Sequence, residues 1–277
     1  DSYEAAKAKS KEANTGLSGG GFHALQWLHY ARLQQGRHAD ARSVLSTIQQ
    51  HATASDVSTN YATFLRWSAP LAYAVETEQW DQYGALLDSM NVKPSALDAR
   101  GAVTVHAGQG LAAAKQDNLS AARMQLKQAR AALEDEEADA LRIQVLQLEG
   151  LIALKSGEPE RAATHLEDAA ELESERPLDF GPPFPIKPAH ELYGEALLSL
   201  DRPEDALAQF NATLERYPDR ALALKGKAAA AAQAGHSKVA TAARSALAEQ
   251  WTEADGSVRS QLQSLRRGSA SGAEASR

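Results

Sequence analysis

The sequence contains no cysteine, which excludes disulfides and thiolate metal sites and leaves the redox compartment open. Valine, isoleucine and threonine are sparse beside abundant alanine, leucine and glutamine, a balance that disfavours strands and favours helix nearly everywhere. No apolar run approaches the ~18 residues that a membrane span requires, so membrane insertion is not expected. Basic excess is also missing: the formal net charge is -7, and no basic stripe with interleaved aromatics appears, which argues against a nucleic-acid partner. Catalytic motifs are absent as well. The stretch GLSGGGF at 16–22 lacks the lysine of a phosphate loop and reads as a turn before a helix. HELYG at 190–194 opens like a zinc-protease motif, but Gly194 stands where the second histidine belongs. The sequence therefore predicts no enzyme, no cofactor and no metal site.

What is present is repetition. Helical stretches break at LQQGRHADA (33–41), AKQDNLSAA (114–122), LKSGEPERA (154–162) and LSLDRPEDA (198–206). Around such breaks lie pairs of small residues 12 positions apart: Ala72 and Gly84, Gly110 and Ala122, Gly150 and Ala162, Gly194 and Ala206, Ala228 and Ala240; the first unit has His29 before Ala41. A small residue on each of two antiparallel helices lets their backbones approach, and a fixed spacing across the turn sets the two opposite each other. The second members, Ala41, Gly84, Ala122, Ala162, Ala206 and Ala240, follow at intervals of 43, 38, 40, 44 and 34. The pattern predicts about six helical hairpins, an all-α solenoid.

The segment from Lys187 to Asp219 resembles a tetratricopeptide repeat, with Tyr193-Gly194, Ala206, Phe210 and Pro218 in the places of its Leu-Gly, Ala-x3-Phe and Pro pattern. The other units share the small residues and Leu45, Leu126 and Leu166 at the place of Phe210. More narrowly, HALQWLHYARLQQGRHADA and GPPFPIKPAHELYGEALLSLDRPEDAL resemble the C-terminal half of longer bacterial tetratricopeptide-repeat proteins, many of them exported. The resemblance implies a right-handed superhelical solenoid over 22–254. Residues 1–21 then form an orphan helix and Gly-rich turn left from a preceding repeat, and 255–277 a helix remnant with a disordered tail. It also implies a fragment or processed form of a longer protein, with an exported or periplasmic location favoured and a cytoplasmic one compatible.

In this repeat family the first helix of each hairpin lines the concave face. Carried over, that geometry puts His23, Gln26 and Tyr30 of the first unit in a groove with Arg66, Tyr73 and Glu76 of the second. Thr104, Gln144, Gln147, Glu191 and Glu195 continue it in the later units. Such a surface suits a protein or peptide partner, and a non-enzymatic binding scaffold is the function that the resemblance implies. His106 and His190 occupy places where the family has a packing tryptophan, and an interhelical role is expected of both. The acidic run EDEEAD at 134–139 reads as the charged start of a helix.

One stretch departs from the repeat. DFGPPFPIKPAHELYG, 179–194, holds four of the ten prolines, and its joint is ten residues longer than the next. Prolines at 182, 183 and 185 favour extended, polyproline-like backbone, and Pro188 suits the start of a helix. The segment 177–188 is expected to be a strap in which Phe184 packs against the fourth and fifth hairpins, either as a lid that narrows the groove beside Gln147, Glu191 and Glu195 or as a spacer that only resets the superhelix. Two other functions stand beside the scaffold: a small-ligand or metal-binding protein with its site under the strap, and, independent of the strap, a structural segment of a larger protein.

Overall fold

The structure, a computed structural model, describes residues 2–12, 17–54, 60–133, 139–178 and 181–262. The described residues are helical and contain no strand. α1 (Ser2–Glu12) precedes α2 (Gly19–Gln34) and α3 (His38–Ala52), then α4 (Asn60–Thr77) and α5 (Tyr83–Ser89). α6 (Ala99–Lys115), α7 (Leu119–Ala132), α8 (Asp139–Lys155) and α9 (Pro159–Glu175) follow. The last elements are α10 (Ala189–Ser199), α11 (Pro203–Arg216), α12 (Ala221–Gln233), α13 (Ser237–Gln250) and a short α14 over 256–262. Most of the acidic run, part of the strap and the tail from 268 lie outside the described residues.

From α2 onward the helices pack as sequential pairs, and the first helix of each pair also packs on the first helix of the next. The turns explain why. One residue of positive φ sits between the helices of every pair: Gly36, Glu78, Asp117, Gly157, Asp201 and Gly235. In five of the six, the amide that follows donates back five residues, from Arg37 to Arg32 O, Asn118 to Ala113 O, Glu158 to Ala153 O, Arg202 to Leu197 O and His236 to Ala231 O. This is the Schellman closure, which satisfies the last carbonyls of one helix and reverses the chain at once. The second pair differs. Its return begins as a 3-10 turn at Trp80–Gln82 and continues as the seven-residue α5, ended by Asn91 at φ 52 and by Pro94.

In the fourth and fifth pairs the small residues permit close contact as expected, whereas in the second pair Gly84 is exposed with nothing near it among the described residues, and Gly110 of the third meets Leu148 of the next pair. A Cβ at Gly150 would stand 2.5 Å from Leu166, and one at Gly194 would stand 2.9 Å from Phe210. Leu166 and Phe210 each lie 16 residues after the glycine they meet, so the two hairpins share one packing solution. Two histidines share another: His106 Nδ1 meets Gln125 Oε1 at 2.8 Å, and His190 Nδ1 meets Gln209 Oε1 at 2.7 Å. Both tie the first helix of a pair to the second, as expected. Ala206 is fully buried. Replacing it with tryptophan should cost ~1–3 kcal/mol or more, because overpacking a close crossing forces backbone movement. Unchanged urea denaturation of Ala206→Trp would show that the crossing is loose.

The two ends of the array meet. Trp251 Nε1 donates to Gln34 O at 3.0 Å, and the amide of Asp255 donates to Gly36 O at 3.0 Å. The Ala221 amide donates to Gln34 Oε1 at 2.9 Å, and the Ala39 amide to Asp255 Oδ2 at 2.8 Å. A side chain at Gly36 would strike Ala254 and Val258 at 2.9 Å, so glycine serves here both for its positive φ and for the docking of the C-terminal segment.

Candidate functional site

A cavity of about 980 Å³ lies between the inward faces of α2 and α4 and the proline strap. Trp27, Tyr30, Tyr61, Phe64 and Phe184 give it an aromatic lining, with Pro182 and Pro183 contributed by the strap. The strap supplies Phe184, and α2 and α4 supply the other four rings because aromatic residues concentrate in the first two hairpins and recur there at helical spacing. Trp27 Nε1 donates to His23 Nε2 at 2.9 Å, which leaves His23 Nδ1 to face the Tyr61 hydroxyl at 2.9 Å. The Tyr61 hydroxyl in turn donates to Gln26 Oε1. An indole N–H can only donate, so the chain runs in one direction from Trp27 to Gln26 and fixes three ring orientations.

Two polar atoms at the cavity wall are left over. His29 is 3% exposed and Ser68 5%; His29 Nε2 and Ser68 Oγ find no hydrogen-bond partner among the described residues. Burial holds the His29 imidazole uncharged, its pKa pushed down to about 3, while its ring stacks on Tyr73 at 6.4 Å. His29 Nε2 and Ser68 Oγ are two of nine buried side-chain atoms in this state among the described residues.

The strap closes the remaining side. It bends through 181–187 instead of running straight as polyproline II. Arg176 Nη1 donates to Phe184 O at 2.7 Å, and Gln147 Nε2 donates to Lys187 O at 2.9 Å. Phe184 joins a cluster with Leu141 and Val145 of the fourth hairpin. It also reaches beyond the fourth and fifth hairpins, where it was expected: Arg100 of α6 lies over its ring at 4.1 Å, and Trp67 of α4 meets it edge-on at 6.5 Å. Truncating a half-buried ring that carries a cation–π contact should destabilise by about 1–2 kcal/mol. Phe184→Ala with an unchanged denaturation midpoint would mean that the strap is not packed.

Behind the cavity runs a buried ion network. Arg220 is fully buried at the start of α12. Its Nη1 lies 2.6 Å from Glu76 Oε1, and its Nε and Nη2 fork onto Glu191 at 2.6 and 3.0 Å. Lys187 Nζ bonds Glu191 at 2.7 Å and also pairs with Glu195, which Lys115 reaches at 2.9 Å. Three carboxylates thus face three cations. Burial pushes the Glu191 and Glu195 carboxyls up, but the surrounding cations outweigh it and hold both below the ordinary range. For Glu76 burial prevails over Arg220, and its pKa is raised. Tyr30, next to Arg220, is pushed up to about 12, chiefly by burial.

The residues expected to form one open groove divide into distinct environments. His23, Gln26, Tyr30 and Glu76 line the cavity. Glu191 and Glu195 belong to the ion network, as does Glu76, and Glu191 has no exposed surface. Gln147 is used by the strap, and Gln144 bonds Ala140 O of its own helix at 3.0 Å. Arg66 caps the end of α5, donating to Met90 O at 2.9 Å and to Asn91 O at 2.5 Å. Tyr73 packs between His29 and Arg42, and Thr104 is fully buried. The sequence pattern missed Lys187, Arg220, His29 and Ser68. Two of them had a visible signal: Lys187 stands four residues before Glu191, just ahead of α10, and His29 stands where the other units have a small residue.

Among the described residues no group of three or more His, Asp or Glu side chains could hold a metal ion, and no helix is long and apolar enough to cross a membrane. Comparison of the chain with protein-family models, with curated proteins and with solved structures returns no match, so the geometry of the cavity carries the functional argument alone.

Proposed function

We propose that this chain is a non-enzymatic binding protein, a tetratricopeptide-like solenoid of six hairpins drawn round on itself, that encloses a compact ligand beneath the proline strap. The observation that carries this reading is the cavity itself. Its volume of about 980 Å³ is in the range of small-molecule sites, which are mostly apolar with a few placed polar groups. Trp27 and Tyr61 of its wall are held by hydrogen bonds before any ligand arrives, which lowers the cost of binding. A peptide lying along the whole first-helix register fits less well, because it would have to break the paired and buried Glu76, Glu191 and Arg220.

Ligand-observed NMR against a library of small aromatic compounds tests the proposal. Binders should compete with one another and should be lost in Ala140→Trp, which places an indole in the cavity from the partly exposed first turn of α8. Binding that survives Ala140→Trp, or no binder at millimolar concentration, would refute it.

A further inference from the structure

On the footing that the cavity is a ligand site, its charges narrow the ligand class, because they are not spread evenly along it. Phe64 stands near the start of α4 and Glu76 in its last turn, about 18 Å apart along the helix axis. At the Phe64 end the charges cancel. Arg100 lies over the Phe64 and Phe184 rings at 5.3 and 4.1 Å, and Arg176 donates to Phe184 O. Asp139 and Glu175 stand at the first residue of α8 and the last of α9, the same end of that antiparallel pair. At the far end Glu76 is the one acid or base in the wall among the described residues. It is only 6% exposed, yet it is not closed off. Its Oε1 takes the Arg220 guanidinium at 2.6 Å. The second oxygen takes no hydrogen bond from the described residues and is not one of the sealed, unpartnered atoms to which His29 Nε2 and Ser68 Oγ belong, so it opens on the cavity that Glu76 lines. Arg220 also divides its charge between Glu76 and Glu191. Burial therefore prevails at Glu76 and raises its pKa, whereas the additional cations Lys187 and Lys115 hold Glu191 and Glu195 low. A further positive group at the second oxygen supplies what Glu76 lacks, and the negative end of the α4 dipole favours the same sign. An anion there would meet a like charge, and an apolar group would strip the hydration of that oxygen without replacing it. Tyr30, beside the same guanidinium, is an uncharged phenol, its pKa pushed up to about 12 chiefly by burial. Trp27, one turn earlier on α2, adds an indole. On α4, Ala69 and Ala72 occupy the turns before Glu76 and leave room for an apolar body.

We infer that the cavity takes a small organic cation, a primary amine on a flat apolar body, with the ammonium between the second oxygen of Glu76 and Tyr30 and the body along Ala69 and Ala72 toward Trp27.

Three matched probes separate this class from its competitors: 2-naphthylmethylammonium, 2-naphthylmethanol and 2-naphthylacetate share a ring and differ in charge. Calorimetry on the full chain at neutral pH should show the ammonium binding at least about tenfold more tightly than the alcohol, the usual worth of a hydrogen bond to a charged group, and the carboxylate binding most weakly. Glu76→Gln, which keeps an oxygen for Arg220, should remove the preference for the ammonium and leave the alcohol bound as before. The alcohol or the carboxylate binding as tightly as the ammonium, in a manner blocked by Ala140→Trp, overturns the ligand class and leaves the cavity reading intact. So does a preference for the ammonium that survives Glu76→Gln. No binding by any of the three, or binding indifferent to Ala140→Trp, overturns both. The probe series on the unaltered chain decides the matter even where Glu76→Gln does not fold.

Discussion

Arg220→Met should lower stability by about 3–5 kcal/mol, the usual cost of removing one partner from a buried ion pair. The guanidinium serves Glu76 with one nitrogen and Glu191 with two others, all three groups being buried. Methionine fills much of the volume but strands Glu76 and leaves Glu191 to Lys187 alone. Arg220→Lys should recover little, since an ammonium cannot reproduce a fork onto two carboxylates. Removing the charges together should be milder, so the triple variant Arg220→Met, Glu76→Gln, Glu191→Gln should be more stable than Arg220→Met itself. Urea denaturation of the series measures this directly. A loss below ~1 kcal/mol for Arg220→Met would place the network in the class of solvated surface pairs.

Acid should destabilise the protein well above the carboxylate range, through His29. In the folded chain burial lowers its pKa from 6.5 to about 3, whereas in the unfolded chain it titrates normally. Below pH 6.5 the unfolded state therefore binds more protons, and stability falls as pH falls, by up to about 1.4 kcal/mol per pH unit, until the folded pKa is reached. His38 and His51, also lowered by burial, act in the same direction. Glu76 and Glu173, raised by burial, act oppositely. Glu191 and Glu195, held low, add their loss only once pH drops below the ordinary carboxylate range. Subtracting the profile of His29→Phe from that of the unaltered chain isolates the one group. The difference should be a slope between pH 6.5 and 5, and a flat difference would mean that His29 takes up its proton equally in the folded and unfolded chain.

Much of the hairpin architecture was legible because its determinants are local. The small residues 12 apart, the residue of positive φ in each turn and the histidine–glutamine pairs all join positions fewer than 20 apart, and the repeat copies them. The seven-residue α5 broke the pattern because Asn91 and Pro94 end it early, a local signal outweighed by the fit of Gly84 to the spacing. The cavity was half legible: the prolines around Phe184 marked the strap, but it was expected beside Gln147, Glu191 and Glu195, and nothing in the sequence set the aromatic residues of the first two hairpins opposite it. The ion network was not. Glu191 and Glu195 share a helical face, which reads as a surface, and what makes them internal is Arg220, 144 positions from its other partner Glu76. His29 and Ser68 look like ordinary polar residues on helices, and only the enclosure around them gives them meaning.

The bonds that join Gly36 and Ala39 to Asp255, the latter pair 216 positions apart, also set an order of events in time. Hairpins closed by Schellman turns need only short loops to form, whereas bringing the two ends of the array together requires the largest loop-closure entropy in the molecule. Folding should therefore proceed by rapid local zippering followed by a distinct, slower step in which the ends engage. In the native state the same contact opposes fraying, the ordinary route by which linear arrays come apart. Amide hydrogen exchange should find the turn at Gly36 and the amide of Asp255 protected to the same degree, opening and closing as one unit.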